Sequence, residues 1–495
     1  MRPWPRGATV TRRAAHDIND DEGVIPTAEQ FDLVVVGGGP GGYSAALYAA
    51  SAGMKVALVE NTRLGGTCLN RGCIPAKAFL ETAAVFRHVA HAGEFGIESS
   101  APSVNFAVTQ KRKQKIVDAL VGGIAGMCKN RNVEVFDGTG SLGAGRIVTV
   151  AHADGSSAEI TAPSVILATG SVPRLIPNFE RGGPIMTSDE VLELDYVPSR
   201  VVVIGGGAIG CEFASTFADL GSQVTILEGL PKILPGLDAD VANVVVRSFK
   251  KKKIDIKTSV MVTGHTPNDS GTTVHFGPNG DAADSLDVDV VVVSVGRRPY
   301  ADQLGLDGTA VKVDERGFVV VDEFCRTGED GVYAVGDLIN TPQLAHVGYA
   351  EAILVVKQHL GEAALPVQYD RVPWAIYCHP EVAWAGPGEA EAKEQGLNVV
   401  VAKHPFKANS RARILDETEG LAKVIAEVGP DGRAGRILGV HMVGPWVTEQ
   451  LSGGYLAVNW EATVDEVAEF IQPHPSLTEL FGETVLSLTG RNFNG

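Results

Sequence analysis

Residues 31–60 read FDLVVVGGGPGGYSAALYAASAGMKVALVE: an unbroken apolar run, a cluster of glycines, an alanine-rich stretch and a second apolar run that ends in an acid. Short apolar runs without polar alternation predict strands buried on both faces, and the alanine-rich stretch between them predicts a helix. The same succession returns in RVVVIGGGAIGCEFASTFADLGSQVTILE, residues 200–228. A strand–helix–strand unit present twice predicts an α/β fold containing two Rossmann-like domains.

Each unit carries G-x-G-x-x-G where the first strand meets the helix. Gly37 allows the tight turn, Gly39 lets backbone N–H groups approach a pyrophosphate, and Gly42 permits close packing of helix on strand. The pyrophosphate would sit on the helix N-terminus, and Glu60 is placed to hydrogen-bond a ribose diol. A lone glycine motif reads equally well as a glycine-rich turn, but here strand, helix, second strand and acid all stand in order. Gly205, Gly207, Gly210 and Glu228 repeat the set, so two dinucleotides are expected. Glu228 would repel the 2′-phosphate of NADP and no arginine follows closely, which favours NAD.

Thirteen residues, GGTCLNRGCIPAK from Gly65 to Lys77, hold the reactive chemistry. Positions i and i+5 of an ideal helix lie about 140° apart, so a Cys68–Cys73 bridge must distort the backbone, which Gly65, Gly66 and Gly72 permit. Strained, partly exposed disulfides are the easily reduced ones. Pro75 suits the first turn of a helix, which puts Cys73 near a helix N-terminus that favours a thiolate. Lys77 adds positive charge one turn on. A structural disulfide or two buried thiols is the competing reading. Further along, TGEDGVYAVGDLI (Thr327–Ile339) is a short β-rich run ending in Gly336 and Asp337. Alone it reads as strand and turn; after the second nucleotide unit it reads as the chain returning to the first domain. ATGS, with Thr169 and Gly170, looks like the crossover out of that domain, and GRRPY, beginning at Gly296, like the exit from the inserted one.

The chain has 495 residues, 44% hydrophobic and 20% charged, with a formal net charge of −17. That suits an enzyme of roughly three domains and argues against nucleic acid or anionic membrane as partner. No apolar run reaches transmembrane length. Cys128, Cys211, Cys325 and Cys378 lack metal-site spacing and are expected to be buried thiols, so no metal is expected. The first thirty residues pair arginines with an acidic patch and are expected to be a disordered tail, with an organellar transit peptide as the alternative. A cytoplasmic protein is expected.

Taken together, the dithiol motif, both fingerprints, the returning Gly-Asp segment and HPSLTE (His474–Glu479) resemble the pyridine nucleotide-disulfide oxidoreductases (class I), from Phe31 to about Leu488. IPAK after Cys73, the acid at Glu228 and ILGVHMVGP (Ile437–Pro445) look like the dihydrolipoamide dehydrogenase subfamily. The resemblance implies a FAD-binding domain in two pieces, 31–180 and 306–372, an inserted NAD-binding domain at 181–305, and a C-terminal α/β dimerisation domain at 373–495 that forms a homodimer. It implies that Gly37, Gly39, Gly42, Glu60 and Asp337 bind FAD, with Asp337 on the ribityl chain. Thr169, Gly170, Gly296, Gly336, Ala345 and His346 are expected to complete the cofactor-binding set with the second fingerprint. Lys77 would lie beside the flavin, paired with Glu212, although Glu212 also reads as a solvated helix carboxylate. His474 would take a proton from dihydrolipoamide, whose thiolate attacks Cys68; Cys73 would become the thiolate against FAD, and NAD would receive the hydride. Glu479 would orient His474, which otherwise reads as a surface histidine. The expected partners are a dithiol substrate, free or on a lipoyl domain, and the acyltransferase core of a 2-oxo acid dehydrogenase complex. The rival readings are an NADH-dependent reductase of another low-molecular-weight disulfide and a catalytically idle flavoprotein subunit. Departures from the family pattern are VGYAE after His346 and Cys378 between Tyr377 and His379, where a hydroxyl residue is usual.

Overall fold

A computed structural model describes residues 28–492. The expected tail over 1–27 therefore lies outside the described residues. Glu29–Gln30, assigned to that tail, instead forms a short strand parallel to Ser157–Thr161, because the chain runs along an open sheet edge before Phe31 turns into the core.

Two five-stranded parallel sheets are built alike. In the first, Leu33–Val36 lies between Ser164–Leu167 and Val56–Glu60, with Glu134–Asp137 and Val332–Ala334 at the edges. In the second, Arg200–Ile204 lies between Val290–Val293 and Gln223–Glu228, with Asp255–Thr258 and Ile185–Thr187 outside. The inner strands Leu33–Val36, Ser164–Leu167, Arg200–Ile204 and Val290–Val293 are buried along their apolar runs, Arg200 at the start of its strand being the half-buried exception among them. Helices Pro40–Ser51 and Ala208–Asp219 follow the two fingerprints.

The outer position in the first sheet is filled by a strand that comes after the whole second sheet in sequence. The chain leaves through Ser171–Pro173 and comes back through Arg297–Pro299, and these two segments pair antiparallel as a two-stranded ribbon. A four-stranded sheet, antiparallel except for its edge strand Glu29–Gln30, accompanies the first parallel sheet, and a three-stranded antiparallel sheet accompanies the second.

The C-terminal part is a five-stranded antiparallel sheet ordered Trp374–Ile376, Glu381–Ala385, Ala434–Gly444, Leu421–Val428, Val399–Pro405. Helices Val447–Asn459 and Glu479–Ser487 bury Leu451, Leu480, Phe481 and Val485 against Val424, Val440 and Met442. Trp446, Trp460, Phe470 and Ile471 are large apolar side chains of this part that remain exposed. Among the described residues no helix is long and apolar enough to cross a membrane.

Candidate functional site

The two fingerprint loops are shaped by steric need. Gly37 and Gly205 have φ of 107° and 104°, in the region open to glycine. A Cβ on Gly42 would lie 1.7 Å from the Gly37 carbonyl oxygen, and one on Gly210 would lie 2.0 Å from that of Gly205. The middle glycines differ: Gly39 meets only the Gly66 Cα at 3.8 Å, and Gly207 faces open space. Backbone that is hemmed in on both sides and open at the centre leaves room for a pyrophosphate at the helix start. The acids tie these loops to the next strand. Glu60 accepts from Gly38 N at 2.7 Å and from both the amide and hydroxyl of Thr62, while Glu228 accepts from Gly206 N at 2.6 Å and Leu230 N at 2.7 Å. Since a carboxylate offers about four acceptor sites, both retain capacity for a ribose hydroxyl.

A cleft of about 1470 Å³ runs between the two parallel sheets. Gly37, Gly39, Glu60, Cys68, Cys73, Lys77, Thr169, Gly170, Gly207, Glu212, Gly296, Gly336, Asp337 and Ala345 all line it. Gly42, Gly205, Gly210 and Glu228 stand behind this wall rather than on it, and His346 is not part of it either; it is exposed, with Nε2 2.7 Å from the Pro373 carbonyl oxygen. Thr169 donates to Tyr300 O at 2.6 Å. Asp337 Oδ2 accepts from Ser171 Oγ at 2.6 Å, and Arg297 Nε donates to that same Oγ at 2.7 Å. This chain of bonds joins the returning segment to both arms of the crossover ribbon. Size, open glycine backbone and anchored acids together fit FAD and a nicotinamide dinucleotide.

The thiols do not share one helix. Gly65 and Gly66, at φ 96° and 55°, start the short helix Gly66–Arg71, which carries Cys68. Gly72, with φ −146° and ψ −111°, breaks it, and Cys73 is the first residue of helix Cys73–Ala90. The 140° separation expected on a continuous helix is thereby removed. Both cysteines are free thiols, and they are unequal. The hydrogen bond Cys68 donates to Cys73, together with burial, pushes the Cys68 thiol well up. Cys73 is held below the usual thiol value by that same bond, with Lys77 helping and burial opposing. Lys77 Nζ lies 2.9 Å from both oxygens of Glu212 and 4.7 Å over the ring of Tyr377. Glu212 Oε1 also accepts from Tyr377 N at 2.8 Å. Glu212 is therefore paired rather than solvated.

His474 Nδ1 lies 2.8 Å from Glu479 Oε1, and Ser476 N donates to the other oxygen at 2.7 Å. The His474 side chain is 72% exposed and is not part of the cleft wall that carries Cys68 and Cys73 within the same chain. Sequence reasoning missed two tyrosines. Tyr43 and Tyr349 meet hydroxyl to hydroxyl at 2.6 Å, and both lie within electrostatic reach of Cys68 and Cys73. The one available signal was Tyr349 within the departure VGYAE. Among the described residues no group of three His, Cys, Asp or Glu side chains could hold a metal.

Residues 31–352 match the family described as pyridine nucleotide-disulphide oxidoreductase, and residues 372–485 match that family's dimerisation domain. A dihydrolipoyl dehydrogenase of Bacillus subtilis (strain 168) is 38% identical over 474 residues, covering 94% of this chain and 99% of the relative. The mitochondrial dihydrolipoyl dehydrogenase of Canis lupus familiaris is 37% identical over 94% of this chain and 92% of its own. Among solved structures, LpdA from Mycobacterium tuberculosis superimposes with a TM-score of 0.87 at 25% identity, over 93% of this chain and all of the other. The HOCl-induced flavoprotein disulfide reductase RclA from Escherichia coli does so at 0.82 and 26% identity, over 92% and 99%. The chain belongs to the pyridine nucleotide-disulphide oxidoreductase family, as an FAD-dependent flavoprotein disulfide reductase of its lipoamide dehydrogenase branch.

Proposed function

We propose that the protein oxidises dihydrolipoamide, carried on a lipoyl domain, to lipoamide with NAD. What supports this reading is the 38% identity to a dihydrolipoyl dehydrogenase over 94% of the chain, together with a dithiol whose second member, Cys73, opens the helix that carries Lys77 one turn on while Cys68 sits on the preceding short helix. With the pair oxidised to a disulfide, one substrate thiolate attacks Cys68 Sγ and Cys73 leaves as thiolate. The second substrate thiolate then closes the substrate's own disulfide and expels Cys68, which is left reduced. Two electrons have moved from substrate to enzyme. Bound FAD supplies the carrier that takes this electron pair from the enzyme dithiol and delivers it as hydride to the nicotinamide.

The chain's own residues do the rest. The His474 imidazole, oriented by Glu479 Oε1 on Nδ1, takes the proton of the attacking substrate thiol on Nε2. Lys77, kept charged by Glu212 against the opposing effect of burial, holds positive charge beside the Cys73 thiolate. Glu228 accepts from the adenosine ribose of NAD. The cytoplasm and the acyltransferase core of a 2-oxo acid dehydrogenase complex are the proposed setting, and the division into 31–180, 181–305, 306–372 and 373–495 is the proposed domain plan. Steady-state assay with dihydrolipoamide and NAD, then NADP, tests the reading, which predicts turnover with NAD and a large preference over NADP. A second reading, reduction of another low-molecular-weight disulfide by NADH, is favoured by the likeness to RclA. It prevails if lipoamide is a poor substrate and a different disulfide consumes NADH rapidly.

A further inference from the structure

Glu351 is fully buried in helix Ala345–His359, and three donors from separate segments converge on it. Oε2 accepts from Gly336 N at 2.6 Å; Oε1 accepts from Thr341 Oγ1 at 2.8 Å and from Tyr369 Oη at 3.0 Å. Gly336 begins the single turn Gly336–Leu338 that presents Asp337 to the cleft, and its φ of 71° makes that turn dependent on glycine. Tyr369 begins the turn Tyr369–Arg371, which leads into the first strand of the C-terminal sheet. One carboxylate thus joins the Asp337 turn to the entrance of the dimerisation domain.

A buried carboxylate is costly, and a well-packed apolar side chain in its place is often neutral or stabilising. Burial does push this carboxyl up to about 7, the bonds from Gly336, Thr341 and Tyr369 opposing and Asp337 adding to the rise. Core packing alone gives no reason for an acid here. The convergence of Gly336, Thr341 and Tyr369 gives one. We propose that Glu351 is a positioning residue for the flavin: it fixes the Gly336–Asp337 turn, and so the grip of Asp337 on the cofactor, against the C-terminal domain. The inference rests on the assignment of Asp337 to the flavin.

The test strips FAD from the purified dimer and titrates it back, following flavin fluorescence and the position of the visible flavin band, with circular dichroism as the check on folding. Glu351→Leu restores apolar packing without an acceptor, and Glu351→Gln keeps an oxygen for Gly336 N and an amide for the two hydroxyls. Expected are FAD affinity reduced by about tenfold or more and a shifted band in the Leu variant, with Gln within about threefold of wild type, the scale of losing or keeping a buried hydrogen bond. Asp337→Asn is the control for the underlying assignment. If it weakens FAD while Glu351→Leu binds FAD as wild type with an unshifted band, the inference is overturned and the Asp337 assignment stands. If neither variant alters FAD binding, both fall.

Discussion

Lys77 and Glu212 come from different sheets' helices, Cys73–Ala90 and Ala208–Asp219, and meet through both carboxylate oxygens at 2.9 Å. The pair pins the thiol-bearing helix to the second nucleotide unit, with the thiolate-favouring cysteine one turn away. Breaking a buried pair strands its partner's charge, though Lys77 keeps 32% of its side chain in solvent. Glu212→Leu is expected to cost about 1–3 kcal/mol of stability, measured by denaturant unfolding of the holoenzyme, and to lower dithiol turnover. Unchanged values in both would show that the pair is incidental.

The two cysteines are expected to divide the labour. In Cys68→Ser, Cys73 remains as a thiolate beside oxidised flavin and should give a long-wavelength charge-transfer band, while Cys73→Ser should give none. Both lose dithiol turnover. The bond from Cys68 is the first cause of the depressed Cys73 value, with Lys77 helping; in Cys68→Ser the serine hydroxyl takes over that bond and Lys77 stays, so the charged form exists above the lowered value and disappears as pH falls through it. The band should accordingly survive to a pH lower than the usual thiol value of about 8.5 and fade as the pH is taken down further. A band seen only in Cys73→Ser reverses the assignment.

Nucleotide choice is expected to turn on Glu228. Its carboxylate already holds Gly206 N and Leu230 N, so Glu228→Ala loosens the loop as well as the ribose contact. NAD binding should weaken by about 1–3 kcal/mol while NADP gains from the removal of repulsion, which narrows the ratio of kcat/KM values. A ratio that does not move would mean that this strand end is remote from the ribose.

The site is expected to be completed by a second copy of the chain. His474 is exposed and stands off the cleft wall that carries its own Cys68. Dimers mixed from Cys68→Ser and His474→Ala chains, each inactive alone, should recover roughly a quarter of wild-type activity: half the dimers are hybrids, and each hybrid has one sound site of two. No recovery in proven hybrids would place the histidine's work within its own subunit or nowhere.

The parts legible in sequence were those fixed by local sterics. The turn at Gly37, the packing of Gly42 on Gly37 and the acid closing each second strand follow from neighbouring residues, and the distance-free pattern carried them. The break at Gly72 was not legible, because glycine next to a proline-bearing helix allows a distorted single helix equally well. Arg297, Glu351 and Tyr349 escaped for another reason. Their partners, Ser171, Gly336 and Tyr43, are supplied by separate elements, and only the folded chain brings them together. Glu212 was found because the family pattern named it; its tie to Tyr377 N was not.

The late strand Val332–Ala334 sets an order on biosynthesis. Ser164–Leu167 is made early, is buried along its whole length in the fold, and has one hydrogen-bonding edge whose partner strand comes only after the entire second nucleotide unit in sequence. Such an edge is a template for wrong pairing while it waits, and the contact it awaits is among the slow, non-local ones. The Asp337 turn follows directly on that strand, so on the proposed assignment of Asp337 to the flavin the grip closes only once the sheet is sealed. On that assignment, cofactor loading is expected late in folding rather than as its seed.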